Sequence, residues 1–271
     1  DSSTSRGLGD VYKRQPEQLV TRLATAPRVL VGEQHDNPDH HALQLWLLGA
    51  LEARRPQGSL LLEMLAASQQ PQVDDVKQQL REGLQIADLP KALEWSNGWP
   101  WALYGPIVHH GLAQDYPLRA ANLDRAEIMA IYRQQPLLRG KASTATAVQE
   151  PLLAQIRESH CDKLPISQLP AMLAVQQQRD RRMAEQLLQA PLPAMLLAGA
   201  YHVRQDLGVP LHLRDLGAPS STQVLILSEV GKPVTAEQAD YVWYTAALPP
   251  EDHCAQFRLS LIHISEPTRR R

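Results

Sequence analysis

The sequence predicts an α/β fold in which a mostly parallel central sheet is flanked by helices, with a smaller all-helical subdomain. Short apolar runs alternate along the chain with stretches of helical periodicity, which is the pattern of parallel strands joined by crossover helices. Between about residues 124 and 193 the strand pattern stops, and only helical stretches separated by prolines remain. We therefore expect one α/β domain that carries a helical subdomain over that region.

Six apolar segments are predicted to form the strands of the sheet. The first, Arg28–Val31, ends at Gly32, and the spacing of the leucines that follow predicts a helix over residues 39–51. The other predicted strands are residues 59–62, 118–122, 194–198, 223–227 and 241–244. A sheet of about six strands is of ordinary size for a domain of this length.

The two ends of the chain are predicted not to belong to the natural protein. Residues 5–15, SRGLGDVYKRQ, and residues 259–269, LSLIHISEPTR, can be encoded by one DNA string and its reverse complement. That string resembles a transposase adaptor from sequencing libraries, so segments 1–15 and 259–271 are set aside as non-native. The natural domain is then residues 16–258, and we expect any signal peptide or lipid-attachment cysteine to have been lost with the native ends.

Composition excludes two classes of function. The chain has 27 basic and 29 acidic residues, which argues against a nucleic-acid partner, because phosphate binding needs clustered Lys and Arg. No run approaches the roughly 20 apolar residues that a membrane helix needs. The two cysteines, Cys161 and Cys254, lie far apart without metal-ligand spacing, and we expect two free thiols.

Two Gly-x-x-His motifs follow predicted strands, and a glutamate follows a third strand. The motif GEQH occupies residues 32–35 and GAYH residues 199–202, while Glu63 comes directly after a run of leucines. The carboxyl ends of parallel strands meet at one edge of a sheet, so we expect these side chains to share a crevice. Each glycine lets the backbone turn off its strand, and the histidine three residues on can point back across the strand ends. The predicted site is Glu33, His35, Glu63 and His202.

Two imidazoles and two carboxylates in one crevice are consistent with more than one chemistry. They could bind a divalent metal ion, with Glu33, His35, Glu63 and His202 as candidate ligands. In a metal-dependent hydrolase the two histidines and one glutamate would hold the ion, while the other glutamate activates water. A metal-free hydrolase would instead use His35 or Glu33 as a general base. The same four residues are the candidate catalytic groups in either case.

Several segments together resemble the ChaN family of iron-regulated haem-binding proteins. They are VLVGEQHDNPDHH, LLLEM, WSNGWPWALYGPIV, AANLDR and LLAGAYHVRQDLGVP, which span most of the natural chain. The family belongs to a wider superfamily with Tiki, TraB and erythromycin-esterase-like proteins, whose shared marks are two Gly-x-x-His motifs and a glutamate after a strand. In this chain the marks fall on the two motifs, on Glu33 and on Glu63.

The resemblance implies a haem-binding protein of bacterial iron or haem uptake rather than an enzyme, with a hydrolase as the alternative. It further implies haem held between the two protomers of a homodimer. It also implies an outer-membrane lipoprotein of the cell envelope, on the periplasmic side, that reaches the membrane only through a lost N-terminal lipid anchor. In such proteins a tyrosine is the implied iron ligand, and a phenolate suits ferric iron. The candidate ligands are Tyr104 and Tyr201, and the other expected cofactor contacts are His35, His202, Arg204, Asn122 and Trp99.

Overall fold

The computed structural model describes residues 15–218, 221–250 and 254. Its centre is a six-stranded sheet in which every pairing is parallel. The strands lie in the order β3-β2-β4-β1-β5-β6. All six predicted strands are confirmed, and the α/β class with them. Their bounds are β1 (Arg28–Glu33), β2 (Ser59–Ala66), β3 (Leu118–Asn122), β4 (Ala194–Gly199), β5 (Thr222–Glu229) and β6 (Tyr241–Thr245).

Helices cover both faces of this sheet. The first, α1, includes residues 15–23. In the described part of the chain, no helix is long and apolar enough to cross a membrane. The other helices are α2 (Pro38–Glu52), α3 (Gln70–Arg81), α4 (Leu89–Ala92), α5 (Trp101–Ala113), α6 (Arg125–Gln134), α7 (Thr146–Ser159), α8 (Leu169–Gln189), α9 (Ala200–Val203) and α10 (Val209–Asp215).

The central strands are buried on both faces, which explains their continuous apolar runs. In β2, Leu60 and Leu62 point into one core with α1, α2, α3 and α5. Leu61 points into the opposite core with α8, α9 and α10. Successive strand residues face opposite sides of a sheet, so a strand covered on both sides needs apolar residues throughout. The burial pattern therefore follows from the parallel topology.

The region between β3 and β4 is helical, as predicted, and contains α6, α7 and α8. The long helix α8 packs Met183 and Leu187 against the sheet. Its other end joins α7 and α10 in a separate small core that includes Leu152, Ile156 and Leu211. Helix α8 thus belongs both to the layer that covers the sheet and to the helical region.

The turn from β1 into α2 is short and tightly fixed. Asn37 caps the helix, since its side chain accepts hydrogen bonds from the backbone N–H groups of Asp39 (3.0 Å) and His40 (3.3 Å). Pro38 occupies the first helical position, where a missing N–H costs nothing. Only residues 34–37 separate the strand from the helix, so His35 is held close to the strand end.

The two cysteines form a disulfide, so the prediction of two free thiols is wrong. Cys161 lies in the turn after α7, and Cys254 lies beyond β6. Their Cα atoms are 5.7 Å apart, within the range a disulfide requires. A sequence separation of 93 residues carries no sign of pairing, and only the folded chain brings the two residues together.

Candidate functional site

The two Gly-x-x-His motifs meet because β1 and β4 are neighbours in the centre of the sheet. Glu33, at the end of β1, lies opposite Gly199, at the end of β4. From β1 the chain crosses to β2 and β3 on one side and later returns to build β5 and β6 on the other. A reversal of this kind opens a crevice at the carboxyl ends of the strands. The topology therefore brings the predicted residues to one edge.

The glycine of each motif makes room for the other motif. A Cβ atom on Gly32 would overlap Val203 Cγ2 and lie 2.8 Å from Ala200 Cα, both in α9, the helix that carries the second motif. A Cβ atom on Gly199 would lie 2.8 Å from Cε1 of His35, in the first motif. Distances below about 3 Å cannot be tolerated without movement. The glycines thus serve close packing between the motifs rather than the sharp turns for which they were predicted, since Gly32 lies within β1 and neither glycine has a positive φ.

His35 belongs to an open half of the site. Its Nδ1 lies 2.6 Å from Glu33 Oε1, and the Tyr104 hydroxyl donates a hydrogen bond to the same oxygen at 3.1 Å. The carboxylate of Glu33 is sealed, whereas 46% of the His35 side chain is exposed. Burial lowers the pKa of His35, but the charges of Glu33 and Glu63 outweigh burial and raise it. The His35 and Trp99 rings lie at an interplanar angle of 76°, with centroids 4.9 Å apart.

His202 belongs to a closed half of the site. Its Nε2 lies 3.2 Å from Glu63 Oε1, and its Nδ1 lies 2.5 Å from Asp180 Oδ1. Burial lowers the pKa of His202, but the two carboxylates outweigh burial and raise it to about 10. The ring is therefore an imidazolium at neutral pH, with both N–H groups donated to carboxylates. The same charge holds the pKa of Glu63 down at about 2, against the effect of burial.

Glu63 is aimed into the crevice by an irregularity in β2. The strand does not end at Glu63, as the sequence suggested, but runs on to Ala66. Its register against β3 shifts between Leu62 and Ala66, and such shifts redirect side chains. Glu63 Oε2 accepts the backbone N–H of Gly199 at 2.7 Å, and the Glu63 carbonyl accepts from the Asn122 side chain at 3.0 Å. Asn122 thus holds the backbone that presents the carboxylate.

The two candidate tyrosines lie in contrasting environments. Tyr104 is fully buried, and burial together with the Glu33 carboxylate raises the pKa of its phenol far above the ordinary value. Tyr201 is 40% exposed. The guanidinium of Arg204 lies 5.5 Å from its ring centroid and is held by Asp206, at 2.9 Å from Nε to Oδ1. Of the two tyrosines, only Tyr201 is open to solvent.

The four predicted residues do not form a metal centre in this arrangement. Within residues 15–218, 221–250 and 254, no group of three His, Cys, Asp or Glu side chains is placed to hold an ion. Both nitrogens of His202 are committed to carboxylates, so a metal ion would have to displace one of them. A resident divalent ion therefore does not fit the residues as they lie.

Asp180 and Glu229 are the polar residues of the site region that the sequence analysis missed. Asp180, on α8, is fully buried, and one of its oxygens has no partner among the described residues. It falls on the helical repeat of Leu173, Ala184 and Leu187, and a carboxylate on an apolar face is a signal of a buried partner. Glu229 ends β5 and accepts hydrogen bonds from Gln34 (3.1 Å) and Asn37 (3.0 Å), which anchors the turn that carries His35.

Similarity to known proteins extends over most of the chain. A family model described as "Haem-binding uptake, Tiki superfamily, ChaN" matches residues 19–213. ChaN of Campylobacter jejuni, solved with cofacially bound haem, is 31% identical with a TM-score of 0.76, and the match covers 83% of this chain and 90% of that one.

Two other solved structures match the chain at lower similarity. A mutant of the erythromycin esterase EreC in its open conformation has 13% identity and a TM-score of 0.49, covering 80% of this chain and 73% of its own. RRSP, a MARTX toxin effector domain from Vibrio vulnificus CMCP6, has 16% identity and a TM-score of 0.45, covering 84% of this chain and 39% of its own. No curated protein sequence matches the chain.

Proposed function

Because the chain belongs to the ChaN family of haem-binding uptake proteins, we propose that it binds haem at the carboxyl ends of its strands, between two protomers. The Campylobacter jejuni relative binds haem cofacially. The same arrangement in this chain places two haems face to face in a homodimer. The biological role is then the capture of haem during bacterial iron uptake.

The iron ligand in this proposal is Tyr201. A tyrosine that coordinates iron must be able to lose its phenol proton, and the haem must be able to reach it. Tyr104 meets neither requirement, because it is fully buried and the adjacent Glu33 carboxylate holds its proton in place. The exposure of Tyr201 beside the crevice is the observation that carries the assignment.

Arg204, next to Tyr201, and the residues of the open half of the site suit the other parts of a haem. When bound, haem supplies a ferric centre that takes a phenolate and two propionates that take cations. Arg204, fixed by Asp206 next to Tyr201, offers a guanidinium, which binds carboxylates with defined geometry. His35 offers a half-exposed imidazole whose raised pKa favours the cationic form. Trp99, against His35, offers an apolar edge.

A haem titration tests the proposal. The protein mixed with ferric haem is expected to give a saturable, shifted Soret band. Tyr201→Phe is expected to abolish the tyrosinate-type spectrum, whereas Tyr104→Phe keeps it. Tyr241→Phe, at the amino end of β6, is the matched control. A normal spectrum in the Tyr201 variant would reject this ligand, and the absence of any Soret change in the unaltered protein would reject haem binding.

The disulfide supports a location in the cell envelope. Disulfides persist in oxidising compartments such as the bacterial periplasm and are rare in the cytosol. The pairing of Cys161 with Cys254 therefore agrees with the periplasmic lipoprotein that we propose. Mass spectrometry of protein isolated from the native bacterium, with thiols blocked before lysis, is expected to find the two cysteines linked.

A metal-free hydrolase is the second candidate function, and the Glu33–His35 pair favours it. Glu33 orients His35 through Nδ1 at 2.6 Å, which leaves Nε2 on the side of Gly199 as a possible general base. Hydrolysis of a panel of carboxylic and phosphate esters tests it. Activity that survives chelation and is lost in Glu33→Gln would support the hydrolase, and inactivity across the panel would count against it.

A further inference from the structure

A groove lined by indole rings lies beside the crevice. It is formed by residues 88–101, a loop that includes the short helix α4 and ends at the first residue of α5. We call it the indole groove. Its volume is about 510 Å³, within the range of small-molecule sites. Its walls include the side chains of Trp95, Trp99 and Trp101, together with Asp88, Lys91 and Glu94.

Hydrogen bonds from the protein interior hold this loop in shape. The buried side chain of Gln69 donates to the carbonyls of Leu93 and Glu94, both at 2.9 Å. The Trp95 indole N–H donates to the Trp99 carbonyl at 2.8 Å. Asp88 caps α4 by accepting the Lys91 N–H at 3.1 Å. The rings are therefore positioned before any ligand arrives, which lowers the entropy cost of binding.

All three tryptophans are partly buried, and Trp95 and Trp101 lie edge to face. The rings of Trp95 and Trp101 have centroids 5.1 Å apart with an interplanar angle of 79°. Perpendicular rings form a corner in which the face of one indole and the edge of the other meet a ligand. An indole face is the strongest aromatic partner for a cation.

The charges of the groove select the sign of the ligand. Asp88 and Glu94 carry two negative charges against the single positive charge of Lys91. The Glu94 side chain makes no hydrogen bond or ion pair with any residue that the structure describes. Haem propionates would be repelled by these carboxylates, so the groove differs in ligand chemistry from the site proposed for haem.

We propose that the indole groove binds an organic ammonium ion, with the cation against the tryptophans and the Glu94 carboxylate as its counter-charge. The proposal does not depend on the haem-binding function, because it rests on loop 88–101 alone. Trp99 also contacts His35 at 4.9 Å between ring centroids, so the two sites share one wall.

Choline and its neutral carbon isostere, dimethylbutanol, form the test pair. Both are titrated into the protein without haem, and the five indole N–H signals are followed in proton–nitrogen correlation spectra. Choline is expected to shift the signals of Trp95, Trp99 and Trp101 and to leave those of Trp46 and Trp243 unchanged. The alcohol has the same shape without the charge and is expected to bind about tenfold more weakly.

Substitutions separate charge from shape. Glu94→Gln is expected to weaken choline binding about threefold, while Glu158→Gln, an exposed carboxylate on α7, leaves it unchanged. Trp101→Leu is expected to weaken choline binding about tenfold. If the Trp101 variant fails to fold, the Glu94 variant still tests the proposal. Equal binding of choline and the alcohol, shifts spread over all five tryptophans, or no shift would each overturn the proposal.

Discussion

The two Gly-x-x-His motifs are alike in sequence and opposite in environment. His35 has one carboxylate partner and 46% of its side chain exposed, whereas His202 has two carboxylate partners and 8% exposed. His35 keeps one ring nitrogen free of carboxylates, whereas both ring nitrogens of His202 contact buried carboxylates. The shared motif thus places two histidines together, while their neighbours decide which one is available for chemistry.

Removal of the closed histidine is expected to have the largest effect on stability. His202→Ala leaves Glu63 and Asp180 buried without their shared cation, and breaking a buried charge network costs about 3 to 5 kcal/mol. His35→Ala removes one partner of the buried Glu33 carboxylate but leaves the Tyr104 hydroxyl bound to it, so the expected cost is smaller, about 1 to 2 kcal/mol. Urea unfolding of both variants measures the difference, and equal losses would show that the two halves are not distinct.

The pH dependence of stability is expected to come from the closed half. The folded pKa of His202, about 10, lies above the value of about 6.5 for an unfolded histidine. Its contribution is therefore fully present below pH 6.5 and is lost as the pH rises from there toward 10. Unfolding free energies measured from pH 6 to pH 10 test this.

A variant and the acid side of the pH range test this assignment further. His202→Gln is expected to flatten the decline on the alkaline side. In acid, the depressed pKa of Glu63, about 2, predicts a second loss of stability as pH falls from about 4.5 toward 2. A decline of the same slope in the His202 variant would assign the alkaline loss to other groups.

The paired glycines offer a third way to separate the halves. Gly32→Ala forces a Cβ to within 2.8 Å of the backbone at Ala200, which cannot move freely, and is expected to cost about 2 kcal/mol. Gly199→Ala meets the ring of His35 instead, and that half-exposed ring can rotate away. Thermal unfolding is expected to show the larger loss for the Gly32 variant, and the reverse order would contradict the packing described.

The smallest expected change concerns the open half alone. Glu33→Gln removes the charge that raises the pKa of His35, so that pKa is expected to fall. Proton–nitrogen spectra of the imidazoles follow the titration of each ring. His202, between Glu63 and Asp180, is expected to titrate as before, whereas a matching change in both rings would show that the halves titrate as one.

Much of the fold could be predicted because its signals are local. The leucines before Glu63 and the periodicity of residues 39–51 reflect strands and helices that bury apolar side chains at fixed intervals. Parallel topology then requires strand ends to converge, so Glu33, His35, Glu63 and His202 could be placed in one crevice. The family resemblance rests on the same short segments.

The remainder depended on contacts between distant parts of the chain. Asp180 reaches His202 from a separate helix, and Cys161 reaches Cys254 across 93 residues. The apolar face of α8 indicates that Asp180 has a buried partner but not which residue it is, and the spacing of the cysteines indicates no pairing. The shielding of Tyr104 likewise comes from the packing of α5 against the strand end rather than from its neighbours in sequence.

Local sequence patterns establish where strands and helices fall along the chain and which polar groups lie at the strand ends. The packing of the folded domain seals one histidine as a cation and leaves the other open, and it hides one tyrosine and exposes the other. The physical reason is that side-chain period is a property of a segment, whereas burial and charge pairing are properties of the assembled domain.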